Sequence, residues 1–128
     1  IAWQSGRFGG QAILGFQTTK PDQSSVTTTD TSLGGRVSYA VSKNFKWLVE
    51  AGTTSRKFSD NTASQRLNKL TIAPTIALSP DFWSRPELRF YVTRASWNKA
   101  AATANSATFG MNGKTSQTLA GVQYEIWW

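Results

Sequence analysis

The sequence predicts an all-β fold, an antiparallel up-and-down meander of about six long strands in a single piece of 128 residues. Three observations lead there. Helical periodicity is scarce, whereas Thr, Val, Ile, Tyr, Phe and Trp recur in alternating stretches, the period-two signature of strands with one apolar face. Those stretches run to ten residues or more, longer than the five or six of an ordinary sandwich strand. The connections between them also alternate, short then long.

The strands follow in order. Residues 8–18 set Phe8, Ala12, Leu14 and Phe16 against Gln11, Ile13 and Gln17. Residues 31–41 set Leu33, Val37, Tyr39 and Val41 against Gly34, Arg36 and Ser38. Residues 45–54 place Phe45, Trp47 and Val49 opposite Lys46, Leu48 and Glu50. Residues 66–78 alternate Leu70, Ile72, Pro74 and Ile76 with Lys69, Thr71 and Thr75, although Pro74 removes one ladder donor. Residues 83–97 set Pro86, Leu88, Phe90 and Val92 against Trp83, Arg85, Glu87, Arg89 and Tyr91. Residues 117–128 finish with Val122, Tyr124, Ile126 and Trp128 on one face and Gln123, Glu125 and Trp127 on the other.

Fourteen Lys and Arg against seven Asp and Glu give a net charge of +7. That balance suits nucleic acid, an anionic membrane surface or an acidic ligand, but the charges are scattered and form no stripe. Cysteine and histidine are both absent, which removes disulfides, thiolate metal sites and the commonest catalytic bases. No nucleophile–base pair or carboxylate pair stands out. Neither an enzyme nor a cofactor or metal is expected.

Val41-Ser-Lys-Asn-Phe45 and Leu78-Ser-Pro-Asp-Phe82 read as tight turns, while residues 19–30, 55–65 and 98–116 read as long polar loops. Short turns at one end, long loops at the other and strands of this length form the pattern of an outer-membrane-type barrel. Tyr39, Phe45, Trp47, Phe82 and Trp128 fall near the short-turn ends, where an interfacial girdle of aromatics belongs. Six strands cannot close such a barrel, so the chain is expected to be a part of one or to complete it with other chains. The competing reading is a soluble basic sheet that stacks single-stranded nucleic acid on Trp and Tyr. Salt-dependent binding to single strands without detergent would mark that alternative.

Two stretches carry a family resemblance. Phe82-Trp-Ser-Arg-Pro-Glu-Leu-Arg-Phe-Tyr-Val-Thr-Arg-Ala-Ser-Trp-Asn-Lys99 and the terminal Gly121-Val-Gln-Tyr-Glu-Ile-Trp-Trp128 resemble the C-terminal end of maltoporin-type sugar porins. The resemblance implies the C-terminal third of an eighteen-stranded transmembrane β-barrel, with short turns periplasmic and long loops outside. It implies a homotrimer in outer-membrane lipid of the bacterial cell, passing an oligosaccharide or disaccharide by facilitated diffusion. The external loops would be where a phage attaches, and nucleic acid is not an expected partner. Residues 98–116 are shorter and plainer than the family's last loop.

The same resemblance marks the substrate-binding residues. Family members pass sugar along a file of lumen aromatics, and Trp83 and Trp127 match two of its positions. Alternation puts both on the polar face independently. A sugar packs its C–H face on an aromatic plane and hydrogen-bonds its hydroxyls to neighbours. Arg85, Glu87 and Arg89 share the face of Trp83, and Glu125 that of Trp127. These four are the candidate hydroxyl partners, or else they line wet wall and pair with one another. Trp97 has the same parity but lies at the loop end, and Arg94 has apolar-face parity beyond the apolar band.

Overall fold

The computed structural model describes residues 1–126. Their seven strands form one antiparallel sheet in strict chain order: β1 Ala2–Ser5, β2 Phe8–Thr19, β3 Thr28–Ala40, β4 Phe45–Phe58, β5 Gln65–Ala77, β6 Glu87–Trp97 and β7 Ser116–Glu125. The meander forms as the alternation demands, with one strand more than the six read from the sequence. The addition, β1, has four residues and is too short to show a period. It turns into β2 through Gly6 and Arg7, with Gly6 at φ 54°, a conformation open to glycine in a two-residue hairpin.

Register places like beside like. Phe8, Tyr39, Trp47 and Pro74 form one row across β2 to β5, and Gln11, Arg36, Glu50 and Thr71 form another on the opposite face. The apolar face stays uncovered: Leu14, Phe16, Tyr39, Trp47, Ile72, Phe90, Val92 and Tyr124 are all exposed. Pro74 sits inside β5 and pairs with Trp47. Toward β6 the pairing runs to Ile72–Val92 and resumes at Thr75–Arg89, interrupted where the proline has no N–H to give.

The connection after β3 is the tight turn expected, closed by Val41 N donating to the Phe45 carbonyl at 3.0 Å. The connection after β5 is longer than residues 78–82. It runs to residue 86, through a cis Arg85–Pro86 peptide, and β6 starts only at Glu87. This segment folds inward over the polar face. Beneath it Ser38, Ala40, Leu48, Ala73, Thr75 and Ala77 are buried, so the packed centre of the molecule lies on the polar face at the short-turn end. Phe82 was expected in an exposed girdle; it is 3% exposed instead, because its segment turns in.

At the other end residues 98–115 carry two short helices, α1 Lys99–Ala104 and α2 Ser106–Phe109. The alanines of 100–104 favour helix once an N-cap is supplied. Asn98 supplies it, its Oδ1 accepting from Ala101 N at 3.0 Å and from Arg66 N at 3.2 Å while its Nδ2 donates to the Ser64 carbonyl at 2.7 Å. Trp97 stacks on Phe109 at 4.2 Å and 17° and donates its indole N–H to the Lys114 carbonyl. Among the described residues no helix is long and apolar enough to cross a membrane.

Asn98→Ala removes all three bonds while leaving strand register intact. The loss is about 1–3 kcal/mol of local stability, expected as faster tryptic cleavage at Lys99 and Lys114 with unchanged unfolding of the sheet. Equal cleavage rates in parent and variant would show that the cap does not hold this loop.

Candidate functional site

The candidate site grows from the start of β6. Side chains of β6 alternate, so Glu87 and Arg89 both point to the polar face, opposite Glu125 and Gln123 of β7. On the other side Arg89 faces Thr75, which faces Lys46 of β4. Three strands therefore bring two carboxylates and two cations into one row and its neighbour. The inward segment adds Arg85.

Glu87 is the centre of this network. One oxygen receives Nε and Nη2 of Arg89 at 2.9 and 2.6 Å, and the other is paired with Lys46 Nζ and with Arg85 Nη1 at 3.2 Å. Glu125 takes Arg85 Nη2 at 3.0 Å and the second terminal nitrogen of Arg89. The side chains of Lys46, Arg85, Glu87 and Arg89 are at most 4% exposed, while Glu125 keeps 24%. Three cations share two carboxylates, which leaves one positive charge in excess.

The network also anchors the segment above it. Lys46 Nζ donates to the Asp81 carbonyl at 2.7 Å, and Arg85 Nη1 donates to the carbonyls of Ser84 at 2.7 Å and Phe82 at 3.1 Å. Phe82 N donates to Gln4 Oε1 at 2.9 Å. Gly9 lets this happen: a Cβ there would lie 2.6 Å from Phe82 Cβ and would also meet the Gln4 side chain. Trp83 stands beside Phe82, edge to face at 4.9 Å, and is half exposed.

Strand parity thus holds for Glu87, Arg89 and Glu125. For Trp83 and Arg85 its premise is overturned, because neither belongs to β6. The inward segment brings Arg85 to the network by another route and leaves Trp83 beside Phe82. Trp127 and Trp128 lie outside the described residues. Lys46 was missed as a member of the site. Its parity with Leu48 and Glu50 was visible, but the segment that buries it could not be read as inward-folding from a turn-like Ser-Pro-Asp.

Further along the polar face the charges continue in pairs. Arg36 gives Nε and Nη2 to one oxygen of Glu50 at 2.9 and 2.6 Å, Lys69 stands 3.2 Å from the other, and Asp30 takes two bonds from Arg56. Tyr91 lies over Gly121, where a Cβ would stand 2.6 Å from its hydroxyl oxygen. Arg94, near the long-loop end of the apolar face, bonds Ser116 and Thr118 on β7. Among the described residues no group of acidic side chains is placed to hold a metal. The arrangement offers fixed donors, acceptors and a half-exposed indole, the means to hold a polar molecule weakly.

An ordered meander with a continuous uncovered apolar face and a charged, hydrogen-bonding opposite face has the make-up of barrel wall of the porin class. The family model described as LamB porin matches residues 1–128, and the chain belongs to that family. A relative, the maltoporin of Photobacterium profundum, is 34% identical over 93 residues, covering 73% of this chain. The chain spans about a fifth of that relative's length, 20%.

Proposed function

We propose that this chain is barrel wall of an outer-membrane sugar porin, all 128 residues serving as one piece of it without a second domain. The observation that carries the reading is the division of the sheet into two solvents. Large side chains such as Leu14, Phe16, Val122 and Tyr124 are 61–72% exposed on one face, an apolar surface that soluble monomers rarely leave uncovered and that lipid would cover. The other face carries paired charges that belong in a water-filled lumen. Membership of the LamB porin family and a relative named maltoporin support sugar as the cargo.

In this reading the protein moves solute passively and catalyses nothing. Trp83 and Trp127 are platforms on which the sugar ring packs, Arg85, Arg89, Glu87 and Glu125 are the charged surroundings, and the assembly is a homotrimer with its long loops outside. In this reading the burial of Glu87, Arg85 and Arg89 suits a different task from that of Glu125. At 3–4% exposure or less they hold the Trp83 segment in place, while Glu125 retains surface for a hydroxyl.

The test is sugar block of single-channel current through the porin reconstituted from its outer membrane, using maltotriose as probe. Trp83→Ala is expected to raise the half-blocking concentration about tenfold, the loss of one stacking contact, with sugar-free conductance unchanged or slightly raised. Trp127→Ala is expected to act in the same direction. Unchanged affinity in both variants refutes the platform roles.

A further inference from the structure

Between the inward segment at one end and the helical loop at the other, the polar face has an open bay of about 410 Å³ across β2 to β5. Its floor is bare. Gly34 and Gly52 face each other across β3 and β4, with Ile13 beyond Gly34 and Lys69 beyond Gly52 in the same row.

Neither glycine is there for packing. A Cβ on Gly34 would come no closer than 3.6 Å to the Ala51 carbonyl oxygen, and one on Gly52 no closer than 3.7 Å to that of Leu33, both ordinary contacts. Nor does either adopt the positive φ that favours glycine, unlike Gly6, Gly110 and Gly113. Glycine within a strand weakens it. Neither steric room nor backbone angle asks for it, and the register runs through both without a bulge; bare backbone of this kind is what a closely approaching molecule needs.

The rim states what that molecule is. Glu50 is held between Arg36 and Lys69, and the three side chains are 24–49% exposed. Arg36 commits two of its five donors to Glu50. Donors and acceptors thus alternate along one edge of the bay, as vicinal hydroxyls require, since each hydroxyl both gives and accepts. Across the floor Ile13, an aliphatic side chain on the polar face, is 74% exposed. A flat floor, an apolar side and a charged edge fit a pyranose ring lying against the wall with its hydroxyls toward Arg36, Glu50 and Lys69.

We propose that this bay is a second sugar subsite, separate from the tryptophan platforms and built on exposed backbone where they use indole. The inference rests on the sugar-porin reading above and adds a position along the path. A molecule sliding past would be held by the bay next to the helical loop before it reaches the Trp83 segment.

The test uses the same channels and maltotriose block. Gly52→Val fills the floor and is expected to raise the half-blocking concentration about three- to tenfold with sugar-free conductance nearly unchanged. Lys69→Met removes one donor without touching the floor and is expected to give about the same loss; since Lys69 is half exposed, it also guards against misfolding of the valine variant. Normal block in both variants overturns the bay. So does a fall in sugar-free conductance as large as the change in block, which would mean simple narrowing, or a loss confined to block by inorganic phosphate, which would make it an anion site. If the parent channel is not blocked by maltotriose at all, the sugar-porin reading and the bay fall together; if the parent is blocked and Trp83→Ala weakens block while the bay variants do not, only the bay falls.

Discussion

Glu87→Gln is expected to lower the unfolding free energy of the porin in lipid vesicles by about 3–5 kcal/mol, the cost of leaving buried charge uncompensated. The reason is the imbalance in the network. With Glu87 ionised, three cations share two carboxylates; with glutamine, Lys46, Arg85 and Arg89 would be left with Glu125 alone, and Glu125 is the most exposed member. Lys46→Met acts oppositely on the charge count. It leaves two arginines on two carboxylates and removes the bond to the Asp81 carbonyl, so it is expected to cost about 1–2 kcal/mol. The double variant should recover part of the Glu87→Gln loss, because the two sites share a partner. Urea unfolding of the three variants decides it. A Lys46→Met cost equal to or above that of Glu87→Gln would show that net charge does not govern this network.

Gly9→Ala is expected to cost about 1–3 kcal/mol, although it adds a single methyl group to a strand. The methyl would occupy the place where Phe82 and Gln4 pack, 2.6 Å from Phe82 Cβ, and a backbone-anchored segment cannot yield without losing its bond to Gln4 and its hold on Lys46. Chymotryptic cleavage at Phe82 and Trp83 should accelerate, and sugar block should weaken along with it. Gly52→Ala is the control. Its Cβ meets ordinary contacts only, and alanine is the better strand residue, so stability should hold or rise. Equal losses at the two positions would show that the contact with Phe82 is not the cause, since only Gly9 has it.

The strands could be read from the sequence because each has one uncovered apolar face, which imposes a strict period on residues such as Val37, Tyr39, Trp47 and Val49. What escaped were features that parity does not encode. The four residues of β1 are too few to display a period. The helices in residues 98–115 depend on one cap and on packing against Trp97. The inward turn of residues 78–86 is settled by contacts to Gln4, Gly9 and Lys46, each distant in sequence. Of the candidate site, Glu87, Arg89 and Glu125 were legible through alternation. Lys46 became visible only once the segment that buries it was placed, and Trp127 stands outside the described residues.

Each strand of the sheet binds only the strands before and after it in the chain. Sequence distance between partners is therefore small throughout, which is the condition for rapid formation. Closing the 18 residues of 98–115 costs only about 1.3 kcal/mol more chain entropy than closing the four of 41–44, because the cost grows with the logarithm of length. Growth of the wall can then proceed one hairpin at a time, each new strand finding its template already laid down beside it. The exception is the inward segment, whose contacts reach back 78 residues to Gln4. Its contacts to Gln4, Gly9, Lys46 and Glu125 span β1, β2, β4 and β7, so the piece that carries Trp83 is fixed by strands from both ends of this wall.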